Sequence, residues 1–89
     1  MNINTLHICN YSVTEDKHFY AQLVKKNDCV VVYSQDLDNK QYDELLQLFD
    51  DDFKQVYCII EQNKHHIPAI NHAQWLDLIN QSKRTFTWK

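Results

Sequence analysis

A thiolate can accept a sulfur atom and pass it on, so Cys9, Cys29 and Cys58 are the first residues to weigh for chemistry. Cys9 and Cys58 fall inside apolar, strand-like runs, and Cys29 opens one. A cysteine enclosed in a strand behaves as a small hydrophobe with a raised pKa. None of the three precedes a helix start closely enough for the helix dipole to lower it. The residues themselves therefore read as structural. Cys29, nearest a turn, and Cys9 remain the two candidates for carrying sulfur.

The five histidines offer less. His65 and His66 are adjacent, near Glu61, and His72 follows a few residues later. Neighbouring histidines point apart on most backbones, and no Cys-x-x-Cys or His-x-x-x-His spacing joins them, so no metal site is assigned. His7, within an apolar run, reads as a hydrogen-bonded structural residue. No serine, histidine and acid combination stands out, and no catalytic residue is assigned. Ser34-Gln35-Asp36 follows the second apolar run, where open α/β sheets bind ligands, although a polar loop cap accounts for it equally well.

These residues need elements to hold them. Four apolar segments alternate with three amphipathic ones. The first strand spans Thr5 to Asn10. Ser12 and Glu15 stand at capping-box spacing and predict a helix from about Val13. Its apolar face carries Phe19, Tyr20, Leu23 and Val24, and it closes on Lys25 and Lys26. Asn27-Asp28 reads as a turn. Cys29 to Tyr33 is β-branched and apolar without alternation, which predicts a central strand covered on both faces. Tyr42, Leu45, Leu46 and Phe49 recur at helical spacing behind a cap at Asp38 or Asn39. Asp50-Asp51-Asp52 reads as a solvated acidic turn, and Gln55 to Ile60 as the third strand. Glu61 to His66 has no clear period, and Pro68 bars helix continuity. Asn71 with Gln74 caps a helix bearing Trp75, Leu76, Leu78 and Ile79. Thr85 to Trp88 alternates as a short last strand with one buried face. The βαβαβαβ pattern predicts a three-layer α/β/α sandwich with a small, mainly parallel sheet.

Composition narrows the function classes. Eighty-nine residues make one domain, 1–89, with a core small enough to need support. Three unclustered cysteines supply no disulfide framework, so association with a partner is the expected source of that support. A net charge of −3, with nine scattered basic residues, gives no electrostatic hold on nucleic acid. Glycine is absent, which removes the glycine-rich phosphate loops of nucleotide-dependent enzymes. No cofactor is implied. No signal peptide or membrane-spanning run is legible, and the cytosol is the expected compartment.

The string Leu6-His7-Ile8-Cys9-Asn10-Tyr11-Ser12 resembles the opening of the TusB/DsrH family. That opening reads Leu-His-Thr, an apolar, a polar and a basic residue, then Ser-Pro. The resemblance continues through Asn27-Asp28 into Gln35-Asp36, resumes from Val56-Tyr57 to Glu61 and from Ile70 to Ile79, and closes on Trp88. It departs at Val13, where the family has proline, at Leu37, where it has glycine, and in lacking the Arg-Gly after the third strand. Some DsrH members carry a cysteine in the first helix, and Tyr20 takes that place here.

The resemblance implies a DsrEFH-like fold and a heterohexamer of three homologous subunits, TusB, TusC and TusD. Such a complex takes persulfide sulfur from TusA and passes it to TusE, for 2-thiolation of the tRNA wobble uridine. The sulfur-bearing cysteine belongs to the TusD subunit, and TusB-like chains complete the assembly. Homologous TusC-like and TusD-like subunits are thus the implied partners, with homo-oligomers possible for the isolated chain. Two alternatives stay open. One is a sulfur-carrying DsrH-like subunit using Cys29 or Cys9. The other is an unrelated α/β module binding a ligand at Ser34 to Asp36.

Overall fold

The structure, a computed structural model, describes residues 3–34, 37–49, 53, 55–60 and 69–88. The elements are β1 (Ile3–Asn10), α1 (Lys17–Ala21), β2 (Cys29–Ser34), α2 (Asn39–Leu46), β3 (Val56–Ile60), α3 (His72–Gln81) and β4 (Ser82–Thr87). The strands form one parallel sheet in the order β3-β2-β1-β4. The expected α/β sandwich with a small parallel sheet is what the chain adopts.

The strand order sets which helix covers which face. The steps from β1 to β2 and from β2 to β3 move one way across the sheet. The step through α3 returns past β2 and β1 to the far edge. Right-handed crossovers in opposite directions put their helices on opposite faces. Packing follows that rule. Ala21 of α1 and Leu45 of α2 join Cys9, Val30, Val32, Val56 and Cys58 in one cluster, capped by Trp88. Trp75, Leu78 and Ile79 of α3 pack on Leu6, Cys29, Val31 and Ile59 on the other side.

β2 lies between β1 and β3, and Cys29 through Val32 are all buried. Val30 and Val32 feed one cluster and Cys29 and Val31 the other, which is why the run shows no polar alternation. The caps of α2 and α3 fall where the spacing predicts. Asp38 and Gln41 exchange side-chain-to-backbone hydrogen bonds, as do Asn71 and Gln74.

Two elements differ from expectation. The first helix begins at Lys17, capped by Asp16, rather than near Val13. The intervening backbone is already committed, because the N–H groups of Val13 and Thr14 donate to the Asn10 carbonyl and fold the chain into a turn. At its other end, Gln22, Leu23 and Val24 each donate to the carbonyl three residues back, tightening the helix into 3₁₀-type turns well before Lys25. Phe19 and Leu23 consequently face outward, 53% and 42% exposed. The last strand also begins earlier, at Ser82, directly on the end of α3. It has no buried face: Phe86 is exposed, and the burial expected of its alternation is confined to Trp88, just beyond the strand. Among the described residues β4 has only β1 beside it, and the α3 side chains pack on β1, β2 and β3 instead of on it. The expected acidic turn at Asp50 to Asp52 and the segment from Glu61 to Pro68 lie outside the described residues.

Candidate functional site

The sheet register fixes the positions of the thiols. Cys9 pairs with Val32, and Val32 with Cys58, so the two cysteines lie on one face with a strand between them. Two strand spacings separate their α-carbons by about 9.5 Å. A disulfide needs α-carbons within about 7 Å, so this fold holds the two thiols apart. Cys29 faces the opposite side of the sheet. All three are free and buried.

Burial dominates their electrostatics. Loss of solvent pushes Cys29 up to about 12, against a weaker opposing contribution from a backbone hydrogen bond at Val30. It pushes Cys58 up to about 12 as well, with a small addition from Cys9. Cys9 is also raised by burial, although Thr14 and the charge of Lys17 pull in the opposite direction. Thr14 is itself buried, and its hydroxyl has no well-formed hydrogen bond among the described residues, so its contact with the Cys9 thiol is a weak one. At neutral pH a thiol near 12 is a thiolate about once in 100,000 molecules, far below what a nucleophile needs.

A buried polar cluster stands beside them. Asp28, read from the sequence as a turn residue, is enclosed and accepts three hydrogen bonds. The Thr5 N–H reaches Oδ1 at 3.2 Å, and the Lys25 N–H reaches Oδ2 at 2.8 Å. His7 Nε2 lies 3.1 Å from Oδ2. On the other side of the ring, Trp88 Nε1 donates to His7 Nδ1 at 3.0 Å. An indole nitrogen can only donate, so Nδ1 must accept, and His7 carries its proton on Nε2, facing Asp28. A histidine backed by an aspartate often signals a general base. Here the nitrogen that would take a proton is covered by Trp88, and the ring is buried against Phe86 and Trp88. The cluster is a clasp joining β1, the start of β2 and the chain after β4. Trp88 is held further by Tyr20, whose ring stacks on it at 5.7 Å.

At the carboxyl end of β1, Lys17 Nζ lies 4.5 Å from the centre of the Tyr11 ring and donates to the Thr14 carbonyl. A cavity of about 260 Å³ opens there, lined by Tyr11, Glu15, Asp16, Lys17, His18 and Glu44 among others. A larger cavity of about 730 Å³ lies near the amino ends of β2 and β3, where Lys25, Lys26 and Asn27 face Val24, Phe49 and Phe53. No cysteine lines either one, and His7 lines neither.

Among the other residues singled out in the sequence, Ser34 is buried at the end of β2, while Gln35 and Asp36 lie outside the described residues. So do Glu61, His65 and His66. His72 opens α3, exposed, with its ring tilted against Trp75. Among the described residues no group of three His, Cys, Asp or Glu side chains is placed to hold a metal ion, and no helix is long and apolar enough to cross a membrane. The residue that sequence reasoning missed is Asp28. Nothing separates a buried aspartate from a turn aspartate in the string, since both sit beside Asn27 before a strand. No protein-family model matches this chain, and no curated protein or solved structure gives a match.

Proposed function

We propose that this chain is a TusB-like, non-catalytic subunit of a cytoplasmic sulfur-relay complex that supports 2-thiolation of the tRNA wobble uridine. The sequence resemblance running from Leu6 to Trp88 is the ground for the sulfur-relay assignment. The observation that favours a structural over a sulfur-carrying part is the placement of the thiols. All three are buried in the sheet, all are displaced upward by desolvation, and none lines either of the two cavities described above. The only described His–Asp pair is closed off by Trp88. What remains for the chain is shape, and its partners are homologous TusC-like and TusD-like subunits.

One observation favours the alternative of a sulfur-carrying subunit. Thr14 and Lys17 both act to lower the Cys9 pKa, opposing its burial, and Cys9 lies near the carboxyl end of β1. The deciding experiment replaces Cys9, Cys29 and Cys58 by alanine together, after circular dichroism has established that the variant folds. In cells lacking the native chain, the variant is expected to restore thiolated wobble uridine and to capture the two homologous subunits. A folded, assembled variant that leaves the uridine unthiolated would overturn the structural role. Failure of the native chain to capture either subunit would overturn the relay reading altogether.

A further inference from the structure

The two edges of the sheet are not alike. At the β3 edge, Ala69 bridges Cys58 in parallel, and the Ile70 N–H donates to the Cys58 carbonyl, so part of that edge already has a neighbour. At the other edge, β4 has only β1 beside it among the described residues. The Trp88 N–H donates to the Ile8 carbonyl. In a parallel ladder alternate residues bond to the same neighbour, so Arg84 and Phe86 also turn their main chain toward β1. Lys83, Thr85 and Thr87 turn theirs toward the open side.

We propose that β4 is the seam of a two-fold dimer, in which it pairs antiparallel with β4 of a second copy, with Thr85 on the axis. Only one register satisfies the strand fully. The paired residues must both face outward, and each side chain must meet one on the same face of the continued sheet. Pairing Lys83 with Thr87 of the second copy, and Thr85 with its own counterpart, meets both conditions and uses every outward group of the strand. Each pair exchanges two N–H···O=C bonds. Shifting the register by two residues loses a pair and, in one direction, sets Arg84 against Arg84.

The side chains fit that register. Arg84 falls opposite Phe86 of the second copy, on the face where Phe86 packs edge-on against His7 and is still 38% exposed. A guanidinium and an open aromatic face at a close, non-hydrogen-bonded position form a cation–π pair, made twice by symmetry. Thr85 meets Thr85, a favourable cross-strand pair, and Lys83 meets Thr87, with no like charge directly opposite it. The seam closes on itself, so it yields a dimer and not a fibre. It does not depend on the sulfur-relay reading.

The test uses the purified full chain. Sedimentation equilibrium is expected to show a monomer–dimer equilibrium. Thr85→Pro removes an N–H that the monomer does not use, at an edge position that tolerates proline, and is expected to give a folded monomer. Thr85→Lys is the second variant, in case proline perturbs the fold. It places two ammonium groups across the axis and is likewise expected to give a monomer. In hydrogen exchange, the Lys83, Thr85 and Thr87 amides are expected to slow at least about tenfold as the protein is concentrated. Arg84, Phe86 and Trp88 should be protected at every concentration. A native chain that stays monomeric when concentrated overturns the seam. So does an assembly that persists in a folded Thr85 variant, or one whose concentration dependence lacks the odd–even alternation.

Discussion

The two faces of the sheet are stabilised in different ways. Under α1 and α2, burial is joined by directed bonds: Asp28 gathers Thr5, Lys25 and His7, and His7 receives Trp88. Under α3, packing of Trp75, Leu78 and Ile79 on the strands contributes almost everything, and no α3 residue is fully buried. An apolar face tolerates small shifts in how a helix lies on it. A face with a satisfied hydrogen-bond network does not, because each misplacement strands a buried polar group. The comparison teaches that the clasp defines one arrangement of the chain, while α3 adds area. It also shows why a His–Asp pair is a poor sign of catalysis until the far nitrogen has been traced.

The harshest way to break the contrast is Asp28→Ala. It leaves His7 and the amides of Thr5 and Lys25 without their acceptor inside the fold. Removing one partner of such a cluster costs about 3–5 kcal/mol, a large part of what a domain of this size has in hand. Leu78→Ala on the α3 face removes half-buried apolar surface and is expected to cost about 1–2 kcal/mol. Urea unfolding of the two variants checks the order, and equal losses would remove the distinction between the faces.

Alkali gives a second, intermediate comparison. An unfolded thiol releases its proton near 9.0, whereas folded Cys29 and Cys58 hold theirs to about 12. Between those values the folded state binds more protons, so stability present below pH 9 is lost as pH rises toward 12. Cys9, Tyr11 and Tyr42, also displaced upward by burial, act in the same direction. The α1/α2 face holds two of the thiols and the α3 face one. Replacing Cys9 and Cys58 by alanine is therefore expected to flatten the alkaline fall in melting temperature more than Cys29→Ala does. A fall left unchanged by all three substitutions would assign it to the tyrosines.

Much of this was legible in the string. The unalternating Cys29 to Tyr33 run announced a doubly covered strand, which holds through Val32 while Tyr33 is exposed, and the Asp38–Gln41 and Asn71–Gln74 spacings announced two helix starts. Those signals are local, within one element. The Ser12–Glu15 spacing was equally local and failed, because Val13 and Thr14 give their N–H groups to Asn10 instead. The clasp was not legible beyond His7 as a bonded residue. It joins positions 7, 28 and 88, and only the strand order β2-β1-β4 makes them neighbours. Of the candidate thiols, the strand context announced burial. It could not announce that Thr14 and Lys17 would approach Cys9.

The finest test of the contrast compares the two tryptophans, one on each face. Trp88 Nε1 donates to His7 Nδ1, whereas Trp75 Nε1 is buried with no hydrogen-bond partner among the described residues. Phenylalanine removes the same atoms from each, but Trp88 is buried and Trp75 only partly, so the larger area lost at Trp88 adds to the effect of its N–H. Trp88→Phe leaves the His7 acceptor enclosed and unpaired, a penalty of about 1–3 kcal/mol beyond the lost area. Trp75→Phe removes a donor whose desolvation the fold already bears, so relief of that cost offsets part of the lost packing. The expected net change at Trp75 is within about 1 kcal/mol of zero. Chemical denaturation followed by far-ultraviolet circular dichroism reads both without relying on tryptophan fluorescence. Were Trp75→Phe as damaging as Trp88→Phe, the indole N–H of the clasp would contribute nothing specific, and shape alone would hold that face as it holds the other.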